Sequence, residues 1–156
     1  MSKLANVLLI YTGGTIGMVE DPETGSLNPI DFSHLRDEVP ELNKLDLNLE
    51  VHAWEKPMDS SNIGADFWSD LIGIIEGNYS KFDGFVILHG SDTMAYSASA
   101  LSFLLENVNK PIILTGSQWP IGKIRTDGKE NLVTAIEIAA AQEHGLPIVP
   151  EVAVYF

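Results

Sequence analysis

Hydroxyl side chains gather at four points of this chain, each beside glycine or a carboxylate. Residues 12–17 read Thr12-Gly13-Gly14-Thr15-Ile16-Gly17, and residues 59–62 read Asp59-Ser60-Ser61-Asn62. Residues 89–93 read His89-Gly90-Ser91-Asp92-Thr93, and residues 115–118 read Thr115-Gly116-Ser117-Gln118. The chemistry open to such groups is attack of a hydroxyl on a carbonyl, with a base or relay to take the proton, because a free hydroxyl is a weak nucleophile. Glycine at these points lets backbone N–H groups approach a ligand. Metal-assisted hydrolysis fits less well. His34, His52, His89 and His144 are scattered, without the i, i+4 spacing of a helical zinc pair. No metal and no cofactor is expected.

The elements that must position these loops follow from hydrophobic periodicity. Residues 4–11 and 85–88 are short apolar runs, as expected of strands covered on both faces. Residues 47–54 alternate with a period of two and read as a further strand, and 111–114 and 152–156 complete the set. Helices are expected over about 65–77, with Phe67, Leu71, Ile74 and Ile75 inward, and over about 93–106, with Ala95, Ala98, Leu101 and Leu105 inward. A third helix is expected over 131–142 on Leu132, Ile136 and Ala139. The polar, turn-rich stretch from about 20 to 29, with Asp21-Pro22 and Asn28-Pro29, reads as a mobile surface loop. Strands alternating with helices imply crossover connections: an α/β fold with a mainly parallel sheet and helices on both faces. In such sheets ligands bind outside the carboxyl ends of the strands, so all four hydroxyl loops are expected on one edge. The expected pocket is lined by Thr15, Ser60, Ser91, Asp92 and Ser117.

Composition narrows the class. The chain has 156 residues, suited to one domain, and 45% are apolar, enough for a buried core. Nine Lys plus Arg against 22 Asp plus Glu leave a formal net charge of −13, which repels nucleic acid and anionic membranes. There is no cysteine, so disulfides and thiolate sites are excluded. After Lys3 comes only the short run Val7-Leu8-Leu9-Ile10, too short for a signal peptide or a membrane span, so cytoplasmic residence is expected.

Each loop also has a plainer reading when taken alone. Gly13-Gly14 suits a tight turn with Thr15 as a helix cap, and Asp59-Ser60-Ser61 and Ser91-Asp92 suit caps as well. His89 reads as a packed or loop-stabilising histidine rather than a base. Trp54, Phe67, Trp68 and Trp119 read as core or interface. A dinucleotide site is disfavoured, because residues 12–17 contain no Gly-x-Gly-x-x-Gly and no acidic residue ends a matching second strand.

Longer strings narrow the reading further. Tyr11-Thr12-Gly13-Gly14-Thr15-Ile16-Gly17-Met18 resembles the signature around the first catalytic threonine of the asparaginase/glutaminase family. Residues 85–96, from Phe85 through His89-Gly90-Ser91-Asp92-Thr93 to Tyr96, resemble its second signature. Met58-Asp59-Ser60-Ser61 and Thr115-Gly116-Ser117-Gln118 look like its two further substrate loops. The resemblance is to the N-terminal domain of the cytoplasmic (type I) members and covers essentially the whole chain. It implies a three-layer, Rossmann-like αβα domain and hydrolysis of L-asparagine to L-aspartate and ammonia, with L-glutamine a poorer substrate. On that resemblance Thr15 would be the nucleophile, forming an acyl-enzyme. Ser91 and Asp92 would join a second catalytic group that includes a lysine, and Asp92 would hold the substrate α-ammonium. Ser60, with Asp59 and Ser61, would grip the α-carboxylate. Ser117 would contact the substrate amide, with Gln118 also in the substrate-binding set. Backbone N–H groups near Ser91 would stabilise the oxyanion. The family also implies a homodimer or homotetramer.

Three departures stand out. Ser91 occupies a position usually held by threonine. The loop tyrosine of bacterial members has no counterpart, since no tyrosine lies between Tyr11 and Tyr79. The family lysine follows the strand that matches 152–156, and the family's C-terminal domain follows it too. The expectation is therefore a fragment that catalyses poorly alone. Two alternatives remain: a non-catalytic amino-acid-binding or assembly fragment, and the asparaginase-like subunit of a tRNA-dependent amidotransferase. Members of that last type carry a domain before the first signature, whereas here Thr12 comes almost at the start.

Overall fold

Seven residues without a charge, Ala5–Tyr11, form β1, an inner strand of a parallel sheet in the computed structural model. The structure describes residues 4–21, 23–32 and 35–156, so Lys3, Pro22 and His34 lie outside the described residues. After β1 a tight 3-10 turn, Thr15–Gly17, leads to the small antiparallel pair β2 (Met18–Glu20) and β3 (Leu27–Pro29). A one-turn helix α1 (Leu35–Glu38) and a 3-10 segment (Pro40–Lys44) return the chain to β4 (Leu47–Ala53). Helix α2 (Ala65–Asn78), β5 (Gly84–Leu88), α3 (Met94–Leu104), β6 (Ile112–Thr115) and α4 (Gly128–Ala140) then alternate. A two-residue hairpin, β7 (Gln142–Glu143) with β8 (Leu146–Pro147), precedes the last strand β9 (Val152–Val154).

The main sheet runs β4-β1-β5-β6-β9, with every pair parallel. The fold is thus the expected α/β layer arrangement with a mainly parallel sheet. Successive strands step outward from β1 to β4 on one side, then from β5 to β9 on the other. The order reverses between β1 and β5. At such a reversal the loops after the two strands diverge and leave a crevice, where α/β sheets bind ligands.

Alternation along the inner strands builds two cores. Val7, Leu9 and Tyr11 of β1 meet Val86, Leu88 and Ile113, with Leu132, Ala135, Ile136 and Ala139 of α4 covering them. Leu8 and Ile10 face the other way, against Phe85, Ile87, Leu114, and Phe67, Leu71 and Ile75 of α2 with Leu101 of α3. Gly84 is needed for this closeness, because a Cβ there would lie 2.2 Å from the Ala139 carbonyl oxygen.

Several local expectations are corrected. The stretch read as a mobile loop forms the β2–β3 ladder, Met18 against Pro29 and Glu20 against Leu27. Its turn is organised by the Asp21 carboxylate, which accepts the N–H groups of Glu23 and Thr24 at 2.8 and 2.9 Å. Those bonds lower the Asp21 pKa. Helix α3 buries Met94, Ser97 and Leu101, while Ala95 faces solvent, because the helix is rotated to bring Ser97 under the sheet edge. Helix α4 begins at Gly128 rather than 131 and ends at Ala140, since residues 142–147 form a hairpin. His144 and Gly145 at its tip have φ of 54° and 78°, the left-handed pair that a two-residue turn needs. Strand β9 is shorter than 152–156, and as an edge strand it is only half-buried.

Candidate active site

The crevice between β1 and β5 is closed at its floor by the ends of the two strands. Thr12 donates both its N–H and its Oγ1 hydroxyl to the Leu88 carbonyl, at 3.1 and 2.9 Å. Beyond this point the backbones of three loops touch. A Cβ on Gly13 would stand 2.1 Å from the Met58 carbonyl oxygen, and one on Gly14 2.7 Å from the Gly90 nitrogen. Both glycines also have positive φ, 141° and 88°, which other residues adopt at a cost. A Cβ on Gly90 would lie 2.4 Å from Ser60 Oγ. Glycine is required here so that three strand-end loops share one small space.

The result is a cleft of about 530 Å³ whose lining includes Thr15, Asp59, Ser60, Ser91, Asp92 and Gln118. That size suits a small-molecule ligand. Thr15, the first residue of the 3-10 turn, is half-buried at the cleft wall. It caps no long helix, so the capping role considered for it is not what the structure shows. Ser60 is buried, donates from Oγ to Asp92 Oδ2 at 3.2 Å, and accepts the Thr93 hydroxyl on its carbonyl at 2.7 Å. These two bonds clamp the 59–62 turn to the loop after β5. Asp59 does act as a cap. Its Oδ1 accepts the Ser61 N–H at 2.9 Å and the Ser61 hydroxyl at 2.8 Å, and these bonds hold its carboxyl below the usual range. Ser91 and Asp92 do not cap α3. The N-cap residue is Thr93, which forms no side-chain bond to the helix. Asp92 sits just ahead of the positive end of α3, where a carboxylate is favoured.

Against this geometry the comparisons can be set. Residues 6–156 match the family model described as asparaginase, N-terminal. The chain belongs to the asparaginase family. L-asparaginase 1 of Escherichia coli (strain K12) is 44% identical over 139 residues, covering 86% of this chain and 40% of that protein. L-asparaginase of Dirofilaria immitis is 41% identical over 177 residues, covering 97% of this chain and 29% of that protein. The crystal structure of L-asparaginase I from Vibrio cholerae has a TM-score of 0.86 at 39% identity, covering 99% of this chain and 45% of that chain. The chain thus spans less than half the length of these relatives.

Within this asparaginase domain, two of the residues expected at the site stay off the cleft lining. Ser117 is buried, and its hydroxyl donates to the Trp119 carbonyl at 2.6 Å. Ser61 is turned back onto Asp59. Residues that sequence reasoning missed do line the cleft. Leu27 arrives from the β2–β3 pair and Pro57 from the segment after β4, beside Met18 and Met58 at the ends of the signature strings. Apolar residues in a polar hairpin carry no chemical signal, so only the folded position of that hairpin reveals them. The Gln118 loop is held from below by side chains that also went unnoticed. Asp127 accepts the N–H groups of Gln118 and Trp119 at 2.8 and 3.1 Å, and Asn131 donates to the Gly116 carbonyl at 3.0 Å. An ion pair between Glu20 and Lys123 ties the hairpin to the same loop.

Proposed function

We propose that this domain carries the nucleophile of an L-asparaginase, releasing ammonia from the side-chain amide of L-asparagine. The observation that carries the reading is the convergence of Thr15, Ser60, Ser91 and Asp92 on one cleft at the β1/β5 reversal. The family membership and the relatives named L-asparaginase support it.

In this proposal Thr15 Oγ attacks the amide carbon and the carbonyl oxygen becomes an oxyanion. Collapse of the tetrahedral species breaks the C–N bond as the proton given up by the Thr15 hydroxyl reaches the departing nitrogen, releasing ammonia and leaving an ester that water hydrolyses to L-aspartate and the free Thr15 hydroxyl. Asp92 holds the α-ammonium as an opposite charge, and Ser60 with the backbone N–H groups of Asp59 and Ser60 holds the α-carboxylate. With Ser117 turned to Trp119, Gln118 is the member of that loop placed to meet the substrate. Tyr11 is not the proton acceptor for Thr15. It is buried beneath Gly17 and is not among the residues lining the cleft. L-Glutamine is the poorer substrate, because one extra methylene changes kcat/KM by about 10–200-fold in a fitted pocket.

We further propose that the protein works as a homo-oligomer in the cytoplasm. The cysteine-free composition supports the compartment. Among the described residues no helix is long and apolar enough to cross a membrane.

The deciding assay is ammonia release from L-asparagine by the protein beside its Thr15→Ala variant. Release that falls by at least about 10²-fold in the variant supports the nucleophile. Equal release from both overturns it. No release by either, together with calorimetric binding of L-aspartate, replaces the enzyme reading with a binding module. Sedimentation of the same sample decides the oligomer.

A further inference from the structure

His89 lies at the end of β5, between the sheet and the loop that carries Ser91, and is 1% exposed. Both ring nitrogens are engaged. Nδ1 is 2.6 Å from the Gly90 carbonyl oxygen, and Nε2 is 2.8 Å from Ser97 Oγ on α3. Ser97 Oγ also accepts the Trp68 indole N–H from α2 at 3.0 Å. The edge of the ring arrangement is closed by Phe67, perpendicular to the imidazole at 5.4 Å.

The chemistry of its ends fixes the direction of two of these bonds. An indole nitrogen only donates and a carbonyl only accepts. Trp68 therefore donates to Ser97 Oγ and Nδ1–H donates to the Gly90 carbonyl, and in the neutral ring Ser97 donates to Nε2. His89 is a neutral imidazole with its proton on Nδ1. Burial favours the same form by lowering its pKa, against a smaller opposing effect of the Gly90 carbonyl.

The Gly90 carbonyl belongs to the peptide whose N–H is that of Ser91. Across a trans peptide the C=O and N–H point in opposite directions, and no peptide among the described residues is cis. With the carbonyl drawn down to the buried ring, the N–H is turned to the other side, where Gly90, Ser91 and Thr15 line the cleft.

We infer that His89 is a positioning residue, whose Nδ1–H bond to the Gly90 carbonyl presents the Ser91 N–H to the cleft as an oxyanion donor. Ser97 serves it by donating to Nε2, which favours the Nδ1–H tautomer, and Trp68 holds the Ser97 oxygen in place. The inference rests on the amidohydrolase reading above. A donor aimed at a developing oxyanion acts in the transition state, so its loss lowers kcat with little change in KM.

The test uses the full protein chain with His89→Leu, His89→Asn and Ser97→Ala, assayed for ammonia release and for thermal unfolding. In His89→Leu kcat is expected to fall by about 10–10²-fold, with KM within about twofold of the parent. In His89→Asn the amide places an N–H near the position of Nδ1, and kcat is expected to recover most of that loss. In Ser97→Ala kcat falls less, and the imidazole 15N spectrum shows a tautomer mixture where the parent shows Nδ1–H alone. Should His89→Leu not fold, the Asn and Ala variants and the parent spectrum still decide. A parent that releases no ammonia removes the amidohydrolase reading from this chain taken alone, and the parent 15N spectrum then decides the His89 arrangement. An active parent with an Nε2–H imidazole, a His89→Asn variant no better than a folded His89→Leu, or equal proportional losses in kcat and substrate binding would overturn the inference alone.

Discussion

Tyr11 is a phenol with no hydrogen-bond partner for its hydroxyl among the described residues, packed against Phe32 and directly beneath Gly17. A Cβ on Gly17 would lie 2.2 Å from its ring, so the third glycine of the Thr12–Gly17 string is there for Tyr11 rather than for a ligand. The unfolded chain ionises this phenol near its ordinary value of 10, and the folded chain near 12. Between those values the native state keeps a proton that the unfolded state has lost. The stability that Tyr11 contributes is therefore full below pH 10 and declines as pH rises through 12, by up to about 2–3 kcal/mol. Urea unfolding at pH 7 and pH 11 is expected to show that Tyr11→Phe removes this part of the alkaline loss. At pH 7 the same substitution removes an unsatisfied buried hydroxyl, and a gain of about 1–3 kcal/mol is expected. A variant less stable than the parent at both pH values would mean that the hydroxyl has a partner in solution.

The element that most affects the site without touching substrate is the segment leading into α4. Asp127 is the N-cap residue of that helix, yet its side chain makes no cap bond. Its carboxylate instead takes the N–H groups of Gln118 and Trp119, while Thr126 Oγ1 donates to the Trp119 carbonyl at 3.0 Å. The start of α4 is thus the mould for the loop after β6. Asp127→Ala is expected to leave two exposed N–H groups to water and to cost about 0.5–1.5 kcal/mol in unfolding. Because Gln118 then loses its fixed place, KM for L-asparagine should rise by roughly an order of magnitude, with a smaller change in kcat. Steady-state kinetics beside thermal unfolding checks this, and an unchanged KM would remove Gln118 from the substrate-binding set. The periodicity of residues 131–142 showed the helix, but neither its start at Gly128 nor that its cap residue was committed elsewhere.

At the scale of the whole molecule, 22 acidic residues against nine basic ones leave a net charge of −13 on one 156-residue domain. Self-repulsion of that size opposes the compact state. Raising salt from about 10 mM to about 150 mM shortens the screening length from about 30 Å to about 8 Å. Tm is therefore expected to rise by about 2–5 °C over that range. A Tm that falls with salt would show that surface ion pairs such as Glu20–Lys123 outweigh the repulsion.

Much of this protein was legible before folding. Apolar runs and the period-two alternation of 47–54 place all five sheet strands, because burial on one face or two imposes a pattern on the chain itself. The glycine and hydroxyl strings mark the loops that hold the cleft, because close backbone approach admits glycine alone. What the tertiary structure decided is which groups share a space. Ser117 and Ser61 have the right type and position in the chain, but neighbouring backbone and side-chain groups claim their hydroxyls. Leu27 carries no signal, yet the hairpin lays it on the cleft. His89 reads in isolation as a packed histidine, and it is one. Its bond to Gly90 exists because α2 and α3 bring Trp68 and Ser97 to its other nitrogen. A hydrogen bond has direction and belongs to pairs far apart in sequence, so no local pattern can encode it.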